Sequence, residues 1–510
     1  MLFRNGLGPR EIDTQLGTTF RVNHWFDYLS QVHRFQIHAP TPEHPYVRVT
    51  HNSRLTCDGL VKRIQQTGER AGYSFAAKYD PCMSFFQKLQ SFFRPAPPEG
   101  PTDIDVCVTL STNFPGLSGN GVVQESAHPQ GKIMTLHNKT DNTLMQSLDP
   151  ETLEPIGVAK QDRLNPELTG PISAAHAATC PLTGDVYNYN LSFGRKGSYK
   201  VFTVSAATGK TSVLVTIQHA AAYVHSMFLT EHYVVLCIWN SFFSAGGAAM
   251  LWTKNYLDAM TNFDDSKSAQ WFVVDRTPPE KGGRGLVSTY QSCPFFAFHT
   301  INAYEEPSKE DKDHTDIVAD LCIYDNIDVL KRFYIENLMS NSATAKPYCD
   351  PSNDSSRAYY QRFRLPSIQL GAVDSIKDVR AEFSGEKGIA PELPSMNYNL
   401  KCRKHRYIYG VNDTGKSTFF DGLVKFDTET KKSVVWSEHG QSAGEPIFVA
   451  DPQSEDEDGG VLLSVVLDGP KGDSYLIVLD ARTMKEVGRA NVGSVVGFGF
   501  HGTHVGANKL

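Results

Sequence analysis

The chain lacks any Cys-x-x-Cys pair, although it carries nine cysteines scattered from Cys57 to Cys402. That absence excludes a zinc ribbon and a thioredoxin-type redox centre. An odd, dispersed set reads instead as reduced thiols of a cytosolic protein. No apolar run reaches the ~18–20 residues of a membrane-spanning helix, and the first residues lack the basic–apolar–small layout of a secretory leader. There is no basic stripe interleaved with aromatics, so nucleic acid is not an expected partner. The formal charge of −7 arises from 49 basic and 56 acidic residues spread along the chain, which gives solubility rather than an address. The compact zinc signature His-Glu-x-x-His is missing as well. Helical periodicity is scarce. Its best stretch is Met83 to Phe93, with Phe85, Phe86, Leu89, Phe92 and Phe93 at near-helical spacing. Two readings stay open there: a helix packed on the body of the protein, or an apolar patch at residues 83–93 that touches a membrane and admits a lipid substrate.

What is present is strand. Aromatics make up 11% of the 510 residues, with 40 glycines and 28 prolines, a composition that favours strands and turns. Tyr199 to Val204, His232 to Trp239, Gln270 to Asp275 and Tyr475 to Asp480 are short apolar runs bounded by turn residues. Phe426-Asp-Thr-Glu-Thr-Lys-Lys-Ser-Val434 and Leu479-Asp-Ala-Arg-Thr-Met-Lys-Glu-Val487 look like one recurring unit, and Asp149-Pro-Glu-Thr-Leu-Glu154 is a third copy. In each, a strand ends in Asp, a Thr-containing turn follows, and a second strand begins. Recurrent hairpins of this kind predict propeller blades within one all-β domain over residues 1–510, although the repeat is too weak to count them. Ser244 to Met260 reads as a second loop–helix stretch, and the acidic run 454–458 as a solvated turn.

Two motifs mislead. Gly410-Val-Asn-Asp-Thr-Gly415-Lys416-Ser417 fits the phosphate-binding loop pattern, but that loop needs a following helix to cradle phosphate. Here Thr418 to Phe426 reads as a turn and a strand. Gly116-Leu-Ser118-Gly119 lacks the second spacer of a nucleophile elbow.

Seventeen histidines are present, and four have contexts of one kind. His176 lies in Ile172-Ser-Ala-Ala-His-Ala177, His225 in Val224-His-Ser-Met-Phe228, His299 after Pro294-Phe-Phe-Ala-Phe298, and His501 after Val495-Val-Gly-Phe-Gly-Phe500. All four stand at strand ends or in apolar stretches, far apart in sequence. A propeller converges such strand ends on one axis, though apolar-flanked histidines also satisfy cores.

Phe298-His-Thr-Ile-Asn302-Ala-Tyr304-Glu305, Gly444-Glu-Pro-Ile-Phe-Val449 and Gly499-Phe-His-Gly-Thr503 resemble the carotenoid cleavage oxygenases. So do Trp25-Phe-Asp27 with Val32-His-Arg-Phe35, Asp316-Ile-Val318 and Tyr475 to Ala481, so the resemblance runs along the whole chain. It implies a seven-bladed propeller capped by loops and short helices, with iron(II), Fe(2+), held on the axis by His176, His225, His299 and His501. It further implies acidic partners: Asp141 for His225, Glu392 for His299 and Glu445 for His501, with none for His176. Imidazole ligands suit iron and leave positions for O2; carboxylates on the other ring nitrogen fix the tautomer. Asp141 departs from the family's usual glutamate, and its shorter reach raises the expectation of a bridging water. Tyr28 replaces the glycine common after Phe26-Asp27, and Phe26 is expected at the cavity wall. His504 is the nearest rival for the last ligand position. The resemblance of Met1 to Gly6 to a motif normally preceded by further residues gives the expectation of a truncated N-terminus.

The implied partners are O2 and an apolar alkene, and the implied reaction is oxidative cleavage of a conjugated C=C bond into two carbonyl fragments. Two substrates stay open. Carotenoids or apocarotenoids need a long apolar tunnel. Hydroxystilbenes such as resveratrol lean on a Tyr and a Lys at the phenol, for which Tyr73 and Lys139, with Lys160 as a fallback, fall near the matching places. A retinoid-isomerase-like activity and an inactive propeller scaffold are the other readings. The expected location is cytosolic, peripheral to a membrane if the patch at 83–93 makes that contact.

Overall fold

The computed structural model describes residues 1–70, 72–78, 100–129, 132–309, 311, 313–350, 352–368 and 376–506. The helix expected at 83–93 lies outside these. Strands dominate the described residues and assemble into seven antiparallel sheets arranged as blades. No helix among them is long and apolar enough to cross a membrane.

The first blade closes the ring with both ends of the chain: Gly502–His504 pairs with Leu2–Leu7, followed outward by Ser30–His38 and Arg48–Leu55. The second holds Thr109–Thr112, Leu136–Lys139, Leu144–Leu148 and Pro155–Lys160. Ala178–Thr179, Val186–Ser192, Gly197–Val204 and Thr211–His219 form the third. In the fourth, Phe228–Leu229, Tyr233–Ile238, Ala269–Asp275 and Leu286–Ser292 take on Lys377–Asp378 as a parallel edge. The fifth is Phe296–Pro307, Thr315–Tyr324, Tyr359–Ile368 and Ala381–Ser384. The sixth is Glu392–Ser395, Tyr407–Asn412, Gly422–Asp427 and Ser433–Trp436. In the seventh, Gln441–Ala443 and Ile447–Ala450 both pair with Gly460–Asp468, which Asp473–Asp480 and Glu486–Asn491 follow. A hairpin of Glu11–Asp13 and Thr19–Arg21 stands apart from the blades.

The recurring Asp-x-x-Thr unit is the turn between the two outer strands of the second, sixth and seventh blades. Asp149 accepts the amides of Glu151 and Thr152, Asp427 those of Glu429 and Thr430, and Asp480 that of Thr483. The fifth residue of each turn then donates its amide back to the Asp carbonyl and sits in the left-handed region: Leu153 at φ 64°, Lys431 at 61° and Met484 at 59°. The aspartate side chain replaces the backbone partners that a tight turn cannot supply. The phosphate-loop look-alike ends the strand Tyr407–Asn412 and continues as a polar turn in which Thr414 donates to Asp421; a strand, not a helix, follows. Ser244 to Met260 forms short turns of helix at Ser244–Gly247, Met250–Thr253 and Tyr256–Ala259.

Candidate metal centre

The innermost strands of neighbouring blades lie side by side around the axis, and their entry points carry the four histidines. His176 and His225 precede the inner strands of the third and fourth blades, and His501 that of the first. His299 lies within the inner strand of the fifth blade, at a register shift between Ala297 and Thr300. A bulge re-aims the side chain that regular alternation would have sent elsewhere. The arms are also stitched by backbone. His176 donates its amide to the His225 carbonyl at 3.1 Å. The Ser226 hydroxyl donates to the Phe298 carbonyl at 2.7 Å and accepts from the Thr300 amide at 2.9 Å, gripping both sides of His299.

One ring nitrogen from each of these histidines lies within 4.8 Å of the others. The opposite nitrogens of three are engaged by carboxylates. His225 Nδ1 is 2.7 Å from Asp141 Oδ1, His299 Nδ1 is 2.6 Å from Glu392 Oε2, and His501 Nδ1 is 2.8 Å from Glu445 Oε1. His176 has no acidic partner among the described residues. The expected water bridge at Asp141 is not needed, because the carboxylate reaches the ring directly. His504 lies in the strand paired with Leu2, outside the cluster.

Burial holds His176, His299 and His501 neutral. It lowers His299 to about 4, with Glu392 opposing the shift. His176 and His501 are pushed well below 6.5, first by burial and then by the neighbouring imidazoles. Burial also pushes Glu445 up to about 7, against the nearby Arg4. With Nδ1–H donated to a carboxylate, Nε2 keeps its lone pair. The Nε2 atoms of His299 and His501 face each other at 3.2 Å, and those of His176 and His501 at 2.9 Å. Lone pairs converging in a buried site call for a cation, and a neutral imidazole set suits a divalent transition metal. The donor set fits a metal.

Three of the four histidines (His225, His299 and His501) open onto a cavity of about 670 Å³, within the roughly 300–1,000 Å³ of small-molecule sites. Aromatic rings recur along its walls, with Trp25, Phe298, Phe333 and Phe420 among them. Phe26 is part of that wall, 4.7 Å from the Phe75 ring, 5.6 Å from Phe298 and 5.7 Å from Phe500. Tyr28 lines it too. Tyr73 stands at the mouth, half exposed, with Lys254 Nζ 5.5 Å over its ring.

Lys139 does not join it. The strand Leu136–Lys139 ends at Lys139, whose ammonium lies over the Phe114 ring at 5.8 Å, and only the residues past its end, Thr140 and Asp141, line the cavity. Burial there lowers its ammonium to about 8. Lys160 is exposed at the end of an outer strand. The expected lysine at a substrate phenol is therefore corrected: no lysine is found among the described lining residues.

Three contributors escaped sequence reasoning. Arg4, almost wholly buried, donates to the Glu445 carbonyl at 2.7 Å. Ser226 and Tyr223 flank His225, and their neighbourhood to a candidate ligand was the only available signal. The Tyr223 hydroxyl donates to Asp141 Oδ2 at 2.9 Å and lies 3.0 Å from His225 Nδ1.

Comparison with known proteins agrees with this architecture. Residues 1–506 match the family described as retinal pigment epithelial membrane protein. A carotenoid dioxygenase of Neurospora crassa is 37% identical, the alignment covering 100% of this chain and 86% of that protein. A torulene dioxygenase of Fusarium fujikuroi is 36% identical over 99% of this chain and 88% of its own length. Among solved structures, a variant of the Synechocystis apocarotenoid oxygenase superposes with a TM-score of 0.70 at 18% identity, covering 98% of this chain and 91% of that one. With a seven-bladed propeller, four converging histidines and a family match from Met1 to Gly506, the chain belongs to the carotenoid oxygenase family.

Proposed function

We propose that this chain is an iron(II)-dependent dioxygenase that cleaves a conjugated C=C bond of a carotenoid or apocarotenoid into two carbonyl products. The observation that carries the reading is the four-histidine cluster opening directly onto a cavity with aromatic rings along its walls. The Neurospora and Fusarium relatives, a carotenoid and a torulene dioxygenase, support the substrate class.

His176, His225, His299 and His501 would hold the iron, with Asp141, Glu392 and Glu445 fixing the ring orientation of the last three. Bound there, iron(II) supplies the binding and activation of O2. The chain's own residues do the rest. Phe26, Phe298 and their neighbours offer ring faces and edges on which a conjugated chain packs in offset or edge-on geometry. That packing holds the alkene beside the cluster and keeps bulk water away from it. Exposed Leu251 and Tyr73 at the mouth, with Trp252 beside them, support entry of an apolar substrate from a lipid surface. Among the described residues, the hydroxystilbene alternative lacks a lysine at the cavity wall.

Oxygen uptake and product analysis with β-carotene, an apocarotenal and resveratrol, each supplied separately to the iron-loaded chain, test the reading. The expected result is one O2 consumed per polyene cleaved, with both product carbonyls carrying label from ¹⁸O2. Aldehydes from resveratrol alone would overturn it.

A further inference from the structure

The three carboxylates behind the histidines are held in different ways. Glu445 accepts the Gly502 amide at 2.8 Å on Oε2, the oxygen turned away from His501, whereas Glu392 accepts the Leu393 amide at 3.1 Å on Oε2, the oxygen that faces His299. Of the three, Glu445 has its far oxygen fixed by backbone, which a side-chain substitution leaves in place. Asp141 also receives a backbone amide, from Ala175, but on Oδ1 at 3.3 Å, the oxygen already facing His225. Its other oxygen is held by a side chain, the Tyr223 hydroxyl.

We propose that Tyr223 is the positioning residue of the His225 arm: its hydroxyl fixes Asp141 Oδ2 so that Asp141 Oδ1 orients His225 toward the metal. The proposal rests on the metal reading above. An aspartate has only two side-chain torsions, and its carboxylate is free to rotate about the second. With Oδ1 alone engaged, that rotation would swing the acceptor off the imidazole. A donor on Oδ2 stops the rotation. Tyr223 and Asp141 are both buried, so water does not substitute for the hydroxyl cheaply. Two residues upstream of His225, Tyr223 is carried by the same backbone segment, so holder and held ring keep their spacing. Its ring also lines the cavity, so the support of this arm faces the substrate space.

Co(II) titrated into the metal-stripped chain and followed by visible absorption is the test, because it reads both affinity and ligand geometry without turnover. Tyr223→Phe should weaken Co(II) binding roughly tenfold, the low end for loss of an outer partner of a metal ligand, and shift the ligand-field bands. In an Asp141→Asn background the same change should have less than about a twofold further effect, since the two residues act as one unit; in a Glu445→Gln background it should keep its full effect. Asp141→Asn alone must weaken binding at least as much as Tyr223→Phe, which keeps the idea testable if the phenylalanine variant does not fold. Unaltered affinity in Tyr223→Phe, an undiminished effect on top of Asp141→Asn, or unaltered affinity in Asp141→Asn would each overturn the proposal. Failure of the unsubstituted chain to take up Co(II) would instead overturn the metal reading beneath it.

Discussion

His299 on the axis and His137 in the body of the second blade are both buried imidazoles on strands, at 6% and 0% exposure. Burial lowers both, His299 to about 4 and His137 to about 3. Neither number tells them apart. What separates them is company: His299 has Glu392 on one nitrogen and three other imidazoles at the far side, whereas His137 has the Phe114 ring 6.1 Å away and the Lys139 cation nearby. Burial makes a histidine neutral; convergence makes it a ligand. His33 makes the same point from the first blade. It is paired with His51 at 3.1 Å, but the two belong to no group of three or more potential ligands among the described residues.

The sharpest way to break this comparison is at the axis. His299→Ala should reduce retained iron and oxygen consumption to background, measured by elemental analysis and an oxygen electrode. Retained turnover would remove His299 from the ligand set. Next in size is Glu392→Gln, which keeps the fold of the side chain but weakens its hold on the Nδ1–H. Metal affinity should drop by roughly 10- to 100-fold, read by competition with a chelator.

The third prediction treats three buried histidines outside the cluster as a group. His24, His33 and His137 have folded values of about 4, 3 and 3 against an ordinary 6.5. Between those limits the unfolded chain binds protons that the folded chain refuses, so stability falls as pH drops from about 6.5 toward 4 and is fully present above about 7. Each should cost about 2 kcal/mol at pH 5 relative to pH 7.5, by the tenfold-per-unit relation. Urea midpoints of the metal-free chain across that range report it, and a flat profile would sink the assignment of neutral, buried rings. The smallest effect belongs to His137→Leu. A buried polar group exchanged for an apolar one of similar size is close to neutral, so stability at pH 7.5 should change by no more than about 1 kcal/mol and iron content not at all. The same variant should flatten part of the acid-side loss. A fall in iron content would show that the second blade communicates with the axis after all.

Much of the fold could be read from the residues. The Asp-x-x-Thr hairpins were visible because an Asx turn leaves its polar residues at fixed offsets, and the apolar strands because burial on both faces leaves few polar interruptions. The blade number could not be counted, since inner strands such as Ala178–Thr179 and Phe228–Leu229 are only two residues long. The side of a strand on which Lys139 emerges was equally hidden, because its register depends on pairing with Thr109 and Met145.

By itself, then, the chain's sequence determined the chemistry available: neutral nitrogen donors at strand ends, carboxylates in recognisable segments, and aromatic runs without an aqueous function. Tertiary structure decided which of these meet. It brought the strand after His501 against Leu2–Leu7, so that Arg4 reaches Glu445 across most of the chain's length. It set Tyr223 behind Asp141 and turned Lys139 away from the cavity. The physical reason is one of range. A turn or a strand is written in neighbouring residues, but a metal site on a propeller axis is assembled from separate blades, and only the closed ring fixes the distances between them.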